Sequence, residues 1–228
     1  IPVTPRGSGT DQTGAALSNG IILVFPAHMN RVLELDIKSS TVTVEPGINF
    51  GKLQQTLHTH GRFVPPYPSS IEYSTVGGAI ANNAAGEKSV KYGSMRDYVL
   101  SARVVLANGE IIETRRLSKR ELSKKLGLAT FEGEVYRQVD TLLEEQHELV
   151  SQLARNVTLN NAGYNMADVK QKDGSFDLTP LIAGSQGTLG IITEAILRTE
   201  PHNPQVTLIM AQFDSLEHVH SAVFDLRE

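Results

Sequence analysis

The chain has 228 residues, 40% of them hydrophobic and 20% charged, with Lys+Arg 21 against Asp+Glu 25 and a formal net charge of −4. That length accommodates one large domain or two small ones around a substantial core, and the mildly acidic balance removes the electrostatic case for nucleic acid. Cysteine is absent, which excludes disulfides, iron–sulfur clusters, thiolate zinc sites and any cofactor attached through sulfur within this chain. No run approaches the ~18 apolar residues of a membrane span and no signal-peptide pattern opens the chain, so the expected location is cytoplasmic, either free or peripheral on a membrane. The chain begins at Ile1 in strand-like sequence, which is read as a piece whose natural beginning is missing.

In chain order, residues 21–25, 32–37 and 41–45 are rich in β-branched and aliphatic side chains and predict three short strands. Asn49 stands as an N-cap ahead of a helix carrying Leu53 and Leu57 on one face and ending near Gly61. Residues 98–107 and 110–114 predict two strands joined by Asn108-Gly109, the strongest short hairpin signal in the chain. From Glu132 to Ala154, Val135, Val139, Leu142, Leu143, Leu149, Val150 and Leu153 follow helical spacing and predict a core-facing stripe. Residues 190–199 predict a further strand. After the linker-like 201–204, residues 206–213 and 215–226 predict a strand and a helix that open something new. No repeat and no low-complexity tract is present.

Three glycine-rich segments call for explanation. The first is Pro5-Arg6-Gly7-Ser8-Gly9-Thr10-Asp11, with Gly14 following. Closely spaced glycines let backbone N–H groups converge on an anion. A dinucleotide fingerprint needs a helix opening directly from the glycines, and residues 11–20 carry no helical stripe. A P-loop fails as well, because Gly86-Glu87-Lys88-Ser89 lacks the Gly-Lys adjacency. Taken alone, this segment is either a phosphate cradle or a tight surface turn.

The second segment, Ser74-Thr75-Val76-Gly77-Gly78-Ala79-Ile80-Ala81-Asn82-Asn83-Ala84-Ala85-Gly86, is built of small side chains. Thr75 can cap a short helix beginning near Gly78 that aims free N–H groups at a diphosphate. Close helix–strand packing explains the same composition equally well. Tyr92-Gly93 follows as a second turn. The third segment, Ala183-Gly184-Ser185-Gln186-Gly187-Thr188-Leu189-Gly190-Ile191-Ile192, runs three glycines into a strand and suits a turn passing tightly over a flat ligand.

Taken together, in this order and over residues 1 to about 200, these segments resemble the PCMH-type FAD-binding domain of vanillyl-alcohol-oxidase-type flavoproteins. The resemblance is strongest to the D-lactate dehydrogenase and glycolate oxidase branch of FAD-linked oxidases. It rests most heavily on residues 184–195, then on 75–86 and Tyr92-Gly93. It implies an α+β fold of two subdomains, 1–66 and 67–200, with FAD in the cleft between them and 201–228 leading into a substrate domain. It also implies cofactor contacts from Arg6, Gly7, Ser8, Gly9, Thr10, Asp11, Pro66, Thr75, Val76, Gly77, Gly78, Asn82, Gly86, Tyr92, Gly93, Gly184, Gly187, Gly190, Ile191 and Ile192. The first loop and Gly77-Gly78 would wrap the diphosphate, with Ile191-Ile192 beside the adenine.

Several positions depart from the family pattern. Ser8 replaces the middle one of three glycines, at a cost near ~1 kcal/mol if the backbone there needs positive φ. Tyr67 replaces a common acidic residue between Pro66 and Pro68, Gln186 stands where Glu is usual, and Asn83 and Ala85 differ from the commonest residues. Relatives that attach FAD covalently at the first loop carry a histidine at position 10 or 11. Thr10 and Asp11 stand there, so non-covalent FAD is expected.

The resemblance implies oxidation of a D-2-hydroxy acid of the lactate, glycolate or 2-hydroxyglutarate class, with the general base supplied by a later domain and no catalytic residue assigned here. Two rivals remain: a flavin reductase of the enolpyruvyl-sugar reductase type, which shares the fold, and an electron-transfer flavin subunit of a multi-chain dehydrogenase. Metal binding is not expected, because His58 and His60, like His218 and His220, stand two apart on predicted helices and face different ways. Asn156-Val157-Thr158 forms a glycosylation sequon by chance. Residues 160–165 are either an ordinary polar loop or the family's stretch on the flavin side.

Overall fold

A computed structural model describes residues 1–153, 160–161 and 163–226. The sequon at Asn156 and the end of the predicted stripe at Ala154 lie outside the described residues, and nothing is described of the Leu153 side chain. Strand β1 (Val3–Arg6) pairs in parallel with β2 (Ile21–Val24) as a separate two-stranded sheet. Strands β3 (Val32–Asp36) and β4 (Thr41–Val44) open a five-stranded sheet in which every pairing is antiparallel. Helix α1 (Phe50–His58) follows, and the Asn49 side chain accepts from the Lys52 N–H, which satisfies one of the donors a helix start leaves open. Strand β5 (Arg62–Phe63) pairs with β9 (Glu200–Pro201).

Helices α2 (Val76–Ala81) and α3 (Ser89–Tyr92) precede the hairpin of β6 (Val99–Val105) and β7 (Ile111–Arg115). Gly109, at φ 88°, supplies the left-handed residue that the hairpin turn needs. Helices α4 (Lys119–Leu126), α5 (Phe131–Glu145), α6 (His147–Leu153) and α7 (Thr179–Ile182) lead to β8 (Ile191–Arg198), and α8 (Leu216–Asp225) closes the described chain. The large sheet runs β3-β4-β8-β6-β7. The fold is thus α+β, and strands from both sides of residue 66 share one sheet.

Alternation decides which face of the sheet is core. Val42 and Val44 on β4 are fully buried while Thr41 and Thr43 point to the other face. On α1, Phe50, Leu53 and Leu57 are fully buried, each apolar side chain stabilising the fold by about 1.5–3 kcal/mol. Gln54 is buried beside them and keeps its amide satisfied by bonding both the N–H and the carbonyl of Val64.

Two expectations need correction. The stripe predicted from residue 132 onward is two helices broken at Gln146, and Leu142 and Leu149 face outward at 46% and 57% exposure. Val135, Val139, Leu143 and Val150 of the stripe do pack on the core, and the centre of the contact is Tyr136, fully buried against Phe176 at 5.8 Å between ring centroids. Residues 206–213 are not a strand: they form no regular element, with Leu208 and Met210 87% and 91% exposed. A β-rich apolar composition gives a segment the propensity to pair, and among the described residues no partner is offered.

Candidate cofactor-binding cleft

The three glycine-rich segments meet. Segment one touches segment two at Gly7, where an added β-carbon would overlap the hydroxyl of Thr75. Segment two touches segment three where the N–H groups of Gly184 and Gln186 donate to the carbonyls of Ile80 and Ala81, at the C-terminal end of α2. Segment three returns to segment one at Gly187, whose β-carbon would lie 3.0 Å from Pro5 Cγ. At Gly7 only a glycine leaves room for that closeness; Gly187 adds a left-handed backbone at φ 77°.

Between them lies a cleft of about 760 Å³, counting its open mouth, within the range of small-molecule sites. Of the residues expected to hold cofactor, Arg6, Gly7, Ser8, Gly9, Thr10, Asp11, Thr75, Gly77, Gly78, Asn82, Gly187, Gly190 and Ile192 line it. The others stand elsewhere. Val76 is fully buried in the core and Pro66 is buried. A β-carbon on Gly86 would overlap the Tyr67 carbonyl, and Tyr92 packs edge-on against Phe63. Gly93, at φ 81°, and Gly184, at φ 94°, are turn residues. Ile191 points away because successive strand residues face opposite sides, which puts only Ile192 in the cleft.

Sequence reading missed Phe25, Pro46, Ala81, Ser185 and Gln186 as lining residues. Pro46 is brought in by a tight turn: the Gly47 N–H donates to Met29, and a β-carbon on Gly47 would lie 2.5 Å from the Phe25 carbonyl oxygen. The signal for this wall was Pro46-Gly47 itself. The turn is braced by Glu45, whose carboxylate accepts from the backbone N–H and the guanidinium of Arg31 at 2.9 Å each. The Arg31 hydrogen bond holds the Glu45 carboxyl below its usual range despite burial.

The hydrogen-bond donors differ from expectation. Thr75 does cap α2, accepting from Gly78 N–H at 3.2 Å. The donors it was expected to leave free are occupied, because Val76 N–H bonds Ile48 and Gly77 N–H bonds Pro46. Free donors lie instead on the first loop, where the N–H groups of Ser8, Gly9 and Thr10 make no hydrogen bond among the described residues. Left-handed backbone there falls on Gly9, at φ 71°, and not on Ser8, so the serine carries no strain. Asp11 turns back on its own chain, accepting from Thr13 and from the Ala15 N–H. Its oxygens are thereby engaged before any ligand arrives. Arg6 lines the cleft beside Gly9 and makes no ion pair among the described residues.

Behind the cleft, Asn83 adopts φ 46°, accepts from the Arg96 N–H and donates to Asn161 Oδ1. Asparagine is among the few side chains that tolerate this backbone. Tyr164 is hydrogen-bonded to Thr188 of the third segment at 2.7 Å, while Asn160 and Asn161 accept from Arg96 and Asn83. Ala162 lies outside the described residues. No three His, Asp or Glu side chains gather as a metal site among the described residues.

An unpaired cation, a loop of free N–H groups and glycines whose missing side chains open the space together fit a bound diphosphate with an elongated organic body. Comparison with known proteins agrees. Similar chains include D-2-hydroxyglutarate dehydrogenase of Pseudomonas putida, 32% identical over 94% of this chain and 21% of that protein. They also include glycolate oxidase subunit GlcD of Bacillus subtilis, 34% identical over 99% of this chain and 37% of that protein. A solved structure of alkyldihydroxyacetonephosphate synthase superposes with TM-score 0.62 at 25% identity, covering 99% of this chain and 32% of that one. The chain thus spans between about a fifth and two fifths of the length of these relatives. Residues 1–115, which carry the first two segments and the hairpin behind them, match the FAD binding domain family, and the chain belongs to that family with FAD as its cofactor.

Proposed function

We propose that this chain holds FAD non-covalently in the cleft between its three glycine-rich segments, as part of a protein that oxidises a D-2-hydroxy acid. The observation that carries the reading is the convergence of Arg6, the free N–H groups of the first loop and the close-approach glycines on one cleft. The hydroxy-acid class is supported by the relatives named D-2-hydroxyglutarate dehydrogenase and glycolate oxidase subunit. When bound, FAD supplies a two-electron acceptor for oxidation of the substrate's alcohol carbon.

The chain's own residues bind and orient. Arg6 neutralises part of the diphosphate charge, and the N–H groups of Ser8, Gly9 and Thr10 donate to its oxygens. Gly7, Gly78 and Gly187 keep backbone within reach by carrying no side chain, and Ile192 contributes an apolar surface to a base. Thr10 and Asp11 offer no imidazole for a covalent link. The same reading divides the chain at residue 66 and assigns 201–228 to the connection with a substrate domain. It assigns no general base among the described residues.

Anaerobic mixing of the full-length protein with D-2-hydroxyglutarate, glycolate and D-lactate tests this, followed by flavin absorbance. Bleaching by at least one acid is expected. Bleaching by reduced nicotinamide and by none of the acids would overturn the substrate class while leaving the cofactor assignment intact.

A further inference from the structure

A second cavity shares no lining residue with the cofactor cleft. It encloses about 930 Å³, counting its open mouth, between the end of α1, the 67–71 loop, residues 87–88 and the segment after β9. His58 and His202 stack on its wall with ring centroids 3.9 Å apart and planes 19° apart. The Lys88 ammonium lies 5.9 Å over the Phe63 ring on the same wall. Apolar surface comes from Phe63, Pro68 and Ile71.

Basic groups outnumber carboxylates in this cavity. Among the described residues none of His58, His202 and Lys88 is in an ion pair. The other ionisable groups facing it are Tyr67 and Glu87, and the Tyr67 hydroxyl donates to the Glu87 carboxylate at 2.7 Å, which orients that one carboxylate and leaves its charge in place. On the neighbouring strands, Arg62 is bonded to Thr199, and Glu200 is paired with Arg198 and accepts from Tyr98. Burial, then His202, then Lys88 hold the His58 pKa below its usual value. Three basic groups face a single carboxylate across an apolar surface, so once the histidines are protonated cations outnumber counter-charges and an added anion would make them favourable neighbours.

We propose that this cavity is a second ligand site that accepts a small organic carboxylate with an apolar body, its anion held by His58, His202 and Lys88. The inference goes beyond the FAD reading and does not depend on it. The anion stabilises the imidazolium forms, so binding takes up protons and strengthens as pH falls through the histidine range. Phe63, Pro68 and Ile71 favour the apolar body, which a bare inorganic anion lacks.

Calorimetric titration of the FAD-loaded full-length protein with benzoate and, separately, inorganic phosphate tests the site. Saturable benzoate binding is expected, tighter by about tenfold at about pH 5.5 than at about pH 7.5. Lys88→Met and His202→Gln should each weaken it by about tenfold while flavin absorbance stays that of the parent. If one variant fails to fold, the other carries the comparison together with the pH series on the parent. Absence of benzoate binding, or binding untouched by pH and by the substitutions, would overturn the site. Phosphate binding as tightly as benzoate would overturn the organic class.

Discussion

Gly7 stands so close to Thr75 that a β-carbon on it would overlap the threonine hydroxyl, the same oxygen that caps α2 through the Gly78 N–H. The first loop and the second segment are therefore fixed against each other by the absence of a single methyl group.

Gly7→Ala is accordingly expected to force the loop off α2 at a cost of about 1–3 kcal/mol, weakening FAD binding by about tenfold to a hundredfold. Gly14 and Gly109 supply the control, since both have positive φ and nothing within 4 Å of an added β-carbon. Alanine at either should lower stability by about 1 kcal/mol through backbone strain and leave the flavin Kd alone. Quenching of flavin fluorescence reads the binding and thermal melts read the stability. Equal loss of affinity in all three variants would show that the diphosphate has been placed wrongly.

Glu45 gives a pH signature to the wall carrying Pro46. Its carboxyl, ordinarily near 4.5, is lowered chiefly by the Arg31 hydrogen bond. A depressed carboxylate contributes stability that is present above its unfolded pKa and lost as pH falls through the folded one. Glu45→Gln should therefore melt below the parent at neutral pH, with the gap narrowing as pH drops below about 4.5. A gap that stays constant down to acid pH would mean that the Arg31–Glu45 pair adds nothing.

A similar but remote device sits at the start of α4. Glu121 returns to the Ser118 N–H and hydroxyl while Ser118 accepts from the Glu121 N–H, and its pKa is lowered to about 2 by the Ser118 bonds and by Arg115. Ser118→Ala should cost about 1 kcal/mol by chemical denaturation. Flavin binding should not change, because α4 contributes nothing to the cleft.

Acid precipitation of the holoprotein should release all yellow colour to the supernatant, since neither Thr10 nor Asp11 can carry the link that a histidine makes. Colour retained in the pellet would show a covalent attachment elsewhere.

What the sequence disclosed, it disclosed through local chemistry. Asn49 and Thr75 cap the helices expected of them, and Asn108-Gly109 turns the hairpin. What stayed hidden depended on distant partners. Strand order places β8 between β4 and β6, which no periodicity announces. The break at Gln146 and the outward turn of Leu142 follow from what α5 packs on, and Tyr136 was passed over although it is the aromatic at the centre of that contact. The composition of residues 206–213 signals a strand, but pairing is decided by an available edge and not by propensity. In the cleft, the glycine segments were legible one by one, while Phe25 and Pro46 arrived through a turn that only folding brings alongside. The donors at α2 were misread because their acceptors, Ile48 and Pro46, lie about 30 residues upstream.

Those occupied donors carry a consequence for ionic strength. With Val76 and Gly77 already bonded, α2 brings shape to the cleft and little positive potential. Among the described residues that line the cleft, one guanidinium, on Arg6, and neutral amides remain to meet a diphosphate. Screening acts on charge–charge attraction and leaves short amide hydrogen bonds nearly untouched. Cofactor retention should thus decline only shallowly between dilute buffer and molar salt, with a slope set by a single arginine, and Arg6→Gln should flatten it.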